Sequence, residues 1–207
     1  HQFWSAAGGA PLEHTDQWVG DNAWLLMALN YYKQQTGSER YDGMRRRIAE
    51  WIVSLQDEDG GVFSGYKQGA LMEAKSTEGN LDCYAALMDF PNERRAVRRW
   101  LEDLMWVEED QRFRMGSTVE ESALDDCSWA VASLGPMYSN AFTYTENAFR
   151  RTAPSDATGQ AITGFADLRD KQRVWYEGTG QMALAYRLTG HIAEAEFLLE
   201  QMRGGLV

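Results

Sequence analysis

The chain has 207 residues, 44% of them hydrophobic and 25% charged, with a formal net charge of −11. That is enough to bury a full core without staples, and the acidic surplus argues against a nucleic-acid partner, whose phosphates need a basic surface, and against an anionic membrane. No apolar run approaches the roughly 20 residues of a membrane span, and no signal peptide is visible.

Residues 1–15 carry Gly8-Gly9 and Pro11 without helical period and read as an extended N-terminal arm. The chain opens at His1 rather than Met, as a processed form or an expressed fragment would. From residue 16 to 207 the pattern predicts one domain of helical hairpins. The first helix starts between Asp16 and Asp21 and runs to about Thr36, with Gly37 suited to a left-handed stop. Trp24, Leu25, Leu26, Met27, Ala28 and Leu29 make it apolar nearly all round, the mark of an internal helix. The second, about 39–56, has a single apolar stripe of Met44, Ile48, Trp51, Ile52 and Leu55, with Arg45, Arg46 and Arg47 on its solvated face. Asp57-Glu58-Asp59-Gly60-Gly61 breaks it, and Val62-Phe63-Ser64-Gly65-Tyr66 reads as a short strand.

The cycle then repeats. An inner helix at about 76–88 is closed by Phe90-Pro91, and Asn92 caps an outer helix to about Val107 with the stripe Val97, Trp100, Leu101 and Leu104. A turn and strand follow at 109–113. The third pair is an inner helix at about 123–134, stopped by Gly135-Pro136, and an outer one at about 139–151. A long loop, 152–174, holds a hairpin. The fourth inner helix, about 177–188, is followed by an outer helix, about 192–203, that packs through Ile192, Ala195, Leu199 and Met202. Inner helices buried on all sides and outer helices buried on one describe an all-α, two-layer curved array of αα-hairpins. Cys83 and Cys127 occupy matching places in two repeats, and their plain reading is two buried free thiols.

The inner helices begin alike. Gly20-Asp21-Asn22-Ala23-Trp24, Ser76-Thr77-Glu78-Gly79-Asn80-Leu81-Asp82, Leu124-Asp125-Asp126-Cys127 and Val174-Trp175-Tyr176-Glu177-Gly178-Thr179-Gly180-Gln181 each lead from polar or acidic groups into an apolar helix. On the first, second and last of these the chain resembles the six-hairpin glycosidase superfamily, over most of residues 16–203. The resemblance implies an α/α toroid, or an incomplete one of about four hairpins, with short β-hairpin or extended loops on one rim. It also implies catalytic Asp or Glu at inner-helix ends, aromatic sugar platforms around a cleft, and a glycoside hydrolase of the inverting type. A complete ring has six hairpins and four are counted here, so a fragment, a shortened domain and an open horseshoe are all compatible. A second, local resemblance, Trp51 to Gly60, is to the Gln-Gly segment of terpenoid cyclases. Here that segment occurs once, and the Asp125-Asp126 pair lacks the further Asp of a protonating cyclase motif.

Glycoside hydrolysis needs one protonated and one ionised carboxyl on either side of the scissile bond. Glu78, Glu177, Asp82, Asp21 and Asp126 are the candidates, led by Glu78 as acid and Glu177 as base because both precede Gly at equivalent repeat positions. The plain alternative is that these acids complement the helix dipole and cap free amides. Trp18, Trp175 and Tyr176 stand at helix mouths where sugar rings can stack, while Trp24 and Trp129, a turn deeper, are expected in the core. Arg173 and His14 can hydrogen-bond hydroxyls. No His-Glu-x-x-His helix, paired-Cys spacing or Gly-rich phosphate loop occurs, so the reading calls for no metal and no cofactor. The expected partner is a carbohydrate, with no nucleic acid, no membrane and the oligomeric state left open; a periplasmic or secreted location is favoured over a cytoplasmic one. The competing reading is a non-catalytic helical-repeat module that binds glycan or protein.

Overall fold

A computed structural model describes residues 16–206. Its α-helices are α1 (Val19–Thr36), α2 (Asp42–Val53), α3 (Thr77–Ala86), α4 (Pro91–Trp100), α5 (Leu124–Leu134), α6 (Ala141–Phe149), α7 (Tyr176–Leu188) and α8 (Ile192–Leu206). Short strands fill the connections: β1 (Gln17–Trp18), β2 (Gly65–Lys67), β3 (Ala70–Met72), β4 (Trp106–Val107), β5 (Arg112–Phe113), β6 (Arg150–Pro154) and β7 (Ala161–Phe165). The fold is all-α, built from helical hairpins whose return loops carry antiparallel ribbons. No helix among the described residues is long and apolar enough to cross a membrane. The chain divides into two compact units, the first running to Leu104 and taking back Gly116–Thr118, the second holding Met105–Met115 and everything from Val119 on.

In the first unit α1 packs on α2 and α3, and α3 on α4. Ile52, Leu81, Leu87, Val97, Trp100 and Leu101 form its core. Two buried polar side chains lock the loops to the helix starts. Asn80, one turn into α3, accepts from the Val62 amide at 2.7 Å and donates to the Val62 and Ser76 carbonyls at 3.0 and 2.8 Å. Lys75, just before α3, reaches Asp57 and Asp59 at 2.7 Å and holds the turn that follows α2. β1, β2 and β3 form one antiparallel sheet in which Trp18 faces Gly65. Gly65 has φ +119°, and a Cβ there would lie 1.9 Å from the Gln17 carbonyl oxygen, so only glycine lets the two strands close.

Several expectations are corrected here. α1 is buried along one stripe, Val19, Asn22, Ala23 and Leu26, rather than all round, because α2 and α3 cover only one side; Tyr31 and Trp24 face solvent. Arg45 is not part of a solvated face, since it binds Asn30, Asp42 and Asp89 at 2.8–3.0 Å, and Met44 is the exposed residue instead. Pro91 opens α4 rather than closing the helix before it: α3 ends at Ala86, Phe90 precedes the first turn, and a proline there gives up an amide that has no helical partner anyway. Asn92 therefore lies inside the first turn and is not the cap. After Trp100 the chain makes one π-helical turn, Leu101–Met105, which shifts the register so that Leu101 and Met105 are buried and Leu104 is exposed.

In the second unit α5 packs on α6 and α7, and α7 on α8. Phe113, Leu124, Phe149, Phe165, Met182 and Leu198 are among its fully buried side chains. The hairpin expected in the long loop is β6–β7, paired from Arg150↔Phe165 to Pro154↔Ala161. It begins earlier than expected and ends α6 at Phe149. Thr179 repeats the Asn80 device: its hydroxyl accepts from the Phe165 amide at 3.0 Å and donates to the Trp175 carbonyl at 2.8 Å, tying β7 to the start of α7. α8 buries Ala195 and Leu198, while Ile192 and Leu199 are exposed, a stripe offset from the expected one. Gly205 sits directly against the Tyr176 hydroxyl.

Candidate functional site

At the starts of α1 and α3 lies a cavity of about 310 Å³. It brings together five residues singled out from the sequence: Asp21, Glu78, Asp82, Trp18 and Trp24. Each is placed by local chemistry. The Val19 amide donates to the Ser64 carbonyl at 2.9 Å, and the Ser64 amide and hydroxyl both donate to Ala74, so one serine joins the mouth of α1 to the strand leading into α3. Ser76 caps α3, accepting from the Gly79 amide at 3.1 Å. With that start fixed, Glu78 falls in the first turn and Asp82 one turn below it on the same face.

The three carboxyls differ in their access to water. Asp21 and Glu78 are exposed, while Asp82 is only 2% exposed. Glycines make room between the helices. A Cβ on Gly20 would come within 3.2 Å of Asp82 Oδ2, and one on Gly79 within 3.3 Å of Val19 Cγ1. Burial and then the neighbouring Asp82 carboxylate push the Cys83 thiol well above the ordinary thiol range, which keeps it an inert packing group. The indoles behave differently from expectation. Trp24 is not core: it is 48% exposed and, with Trp18 at 44%, walls the cavity. Val19, Gly20, Ser64, Ser76 and Gly79 complete the lining without having been singled out as site residues. The serine cap three residues before Gly79 was the available signal for Ser76.

The second unit repeats the helix mouth with other chemistry. Asp126 accepts from the Ala123 amide at 2.7 Å and is 1% exposed, so it caps its own helix. Asp125 accepts from the Asp126 amide at 3.0 Å. Cys127 is buried beside them, and burial pushes its thiol up to about 12. Glu177 is exposed in the first turn of α7. Trp175 is half-buried, its ring folded over Gly178, where a Cβ would lie 2.3 Å from the ring. Tyr176 directs its hydroxyl into the α7–α8 contact at Gly205 rather than toward the helix mouth. Trp129 is half-buried on α5, and Arg173 is exposed in the loop before α7. His14 lies outside the described residues. Among the described residues no group of three His, Cys, Asp or Glu is arranged to hold a metal ion.

No family model matches the chain, and no curated protein matches its sequence. Its structure is similar to a family 76 glycoside hydrolase from a bovine Bacteroides thetaiotaomicron strain, with a TM-score of 0.61 and 11% identity over 95% of this chain and 49% of that one. It is also similar to a D-mannose isomerase, TM-score 0.63 and 13% identity, covering 98% of this chain and 62% of the other. A sugar epimerase from a ruminal bacterium gives a TM-score of 0.61 and 13% identity over 94% of this chain and 61% of that one. The chain thus spans about half to three fifths of the length of these structures. The likeness is one of fold: the chain shares the helical-hairpin architecture of these structures.

Proposed function

We propose that the protein is a carbohydrate-active enzyme, a glycoside hydrolase, with the cavity at the starts of α1 and α3 as its sugar-holding end. The observation that carries this reading is the meeting of Asp21, Glu78 and Asp82 with two exposed indoles on one small cavity. About 310 Å³ is at the lower end of ligand-site volumes and suits one end of a saccharide, the rest of which extends into solvent. Indole faces stack on the C–H face of a pyranose, and the carboxyls accept its hydroxyls. Asp82 is buried while Asp21 and Glu78 are exposed, so the three carboxyls differ in their access to water. In the reaction, the protonated carboxyl gives its proton to the glycosidic oxygen as the C1–O bond breaks. The ionised one takes a proton from the water whose oxygen bonds to C1. Glu78 remains our choice as acid, with Asp21 and Asp82 as the carboxyls to test beside it. Glu177, the base expected from the sequence, is exposed in the first turn of α7 in the other unit and is tested separately.

The similar structures, a glycoside hydrolase, a mannose isomerase and a sugar epimerase, support a sugar substrate and favour mannose-containing ones first. They also favour a second reading, sugar isomerisation or epimerisation. The carboxyls of Asp21, Glu78 and Asp82 at the cavity support hydrolysis as the first reading.

The test is to incubate the purified chain with α- and β-linked manno- and gluco-oligosaccharides and with free mannose, and to separate the products. Shorter saccharides support hydrolysis, and an interconverted monosaccharide supports the second reading. Glu78→Gln is expected to lower turnover by about 10²- to 10⁴-fold with the fold retained by circular dichroism. Asp21→Asn, Asp82→Asn and Glu177→Gln complete the panel. Parental turnover in all four variants would remove these acids from the chemistry. Binding without turnover in the parent would favour the non-catalytic module.

A further inference from the structure

A second cavity, of about 680 Å³, lies within the second unit, between the β4–β5 turn and the outward face of α6. Asn140, Thr143, Tyr144 and Asn147 line it at the spacing of one helical stripe, and Gln111 and Arg169 close its edges. That stripe is opposite in character to the one α6 buries, Phe142, Thr145 and Phe149. Tyr144 is held in place: its ring meets the edge of Phe149 at 5.8 Å, and the Arg112 guanidinium lies over it at 5.6 Å. Arg112 is itself fixed by Asp110 at 3.0 Å and Ser122 at 3.1 Å. Gln111 takes a left-handed backbone, φ +52°, and donates to the Glu108 carbonyl at 2.7 Å, which presents its side chain at the rim.

Three amides and two hydroxyls supply both donors and acceptors, the pattern that matches adjacent sugar hydroxyls. A fixed tyrosine ring supplies a flat apolar patch. The charged members, Glu109, Asp110 and Arg169, leave the lining slightly acidic, which disfavours a phosphate or another anion. The volume is roughly twice that of the cavity at the α1 and α3 starts. We propose that this cavity is a further, non-catalytic binding site for a neutral oligosaccharide of roughly two or three rings. The inference rests on the reading of the protein as carbohydrate-active and adds a site on the outer helix layer, where a polymeric substrate can be held.

The experiment titrates ¹⁵N-labelled parent with mannotriose and, separately, maltotriose. Side-chain amide signals of Gln111, Asn140 and Asn147 report the α6 cavity, and indole signals of Trp18 and Trp24 report the other. Saturable shifts of the amides are expected, with affinity at those signals about tenfold lower in Tyr144→Ala and near parental in Tyr144→Phe. The indole response should be the same in both variants. Indole shifts without amide shifts overturn this inference and leave the proposed function standing. Amide shifts that are as strong in Tyr144→Ala as in the parent also overturn it. Silence of both sets of signals removes the two readings together.

Discussion

Replacing Asn80 by alanine is a sharp test of how the helix mouth is held. Asn80 and Val62 are both fully buried, and the asparagine amide satisfies both the Val62 N–H and the Val62 carbonyl. Alanine leaves those two backbone groups in the core without that partner, at about 1–3 kcal/mol each, and returns about 0.5–0.7 kcal/mol of helix propensity. The expected loss is therefore about 1–5 kcal/mol in urea denaturation followed by circular dichroism. Hydrogen exchange gives a local readout, because the Val62 amide should lose protection in the variant. Asn80→Asp sharpens the argument through pH. A carboxyl in this fully buried position has its pKa raised by desolvation, and when protonated it can both accept from and donate to Val62. A folded pKa above the unfolded value of about 3.9 means that the native state holds the extra proton. The aspartate variant should thus come nearest to the parent below that value and fall behind as pH rises toward neutral. A loss under about 1 kcal/mol in Asn80→Ala with Val62 still protected, or an Asn80→Asp penalty that does not grow with pH, would refute the reasoning.

Lys75 donates to Asp57, which lowers that carboxyl from 3.8, and the two aspartates raise Lys75 above 10.5 despite its burial. The depressed Asp57 contributes stability above its unfolded value and loses it as pH falls through the folded one. The raised Lys75 contributes fully below 10.5 and loses its share above it. Lys75→Met should accordingly flatten both the acid and the alkaline limb of the stability–pH curve, measured by denaturant midpoint. Gly178→Ala would drive a methyl to 2.3 Å from the Trp175 ring and 2.6 Å from Leu124. A stability loss of about 1–3 kcal/mol and a changed Trp175 environment in near-ultraviolet circular dichroism are expected. Cys83 and Cys127 are both completely buried, so neither should react with a thiol reagent at pH 8 until denaturant is added.

The periodicity of the sequence located the helical hairpins because alternation of apolar and amphipathic segments is a direct consequence of two-layer packing. Gly37, for example, ends α1 at φ +67° as its position in the pattern implies. The misread features depend on what stands beside a residue rather than on the residue. Trp24 is apolar, and only the placement of α2 and α3 on one side of α1 leaves it at a cavity wall. Arg45 reads as surface charge until Asn30, Asp42 and Asp89 are seen around it. Pro91 carried its signal openly, since proline suits a first turn as well as it breaks an interior one. The site divided in the same way. Asp21, Glu78 and Asp82 were legible from their helix-start spacing, whereas the capping role of Asp126 and the inward turn of Tyr176 follow from three-dimensional neighbours. The α6 cavity left no motif, because its lining comes from separate loops and a polar helix face.

The most direct test of the account is a crystal structure of the Glu78→Gln variant with mannotriose bound. The account predicts a sugar ring against Trp18 or Trp24, with its glycosidic oxygen within about 3.2 Å of the residue 78 side chain. A saccharide bound elsewhere on the chain, with the cavity beside Asp21 and Asp82 left empty at saturating ligand, would contradict it.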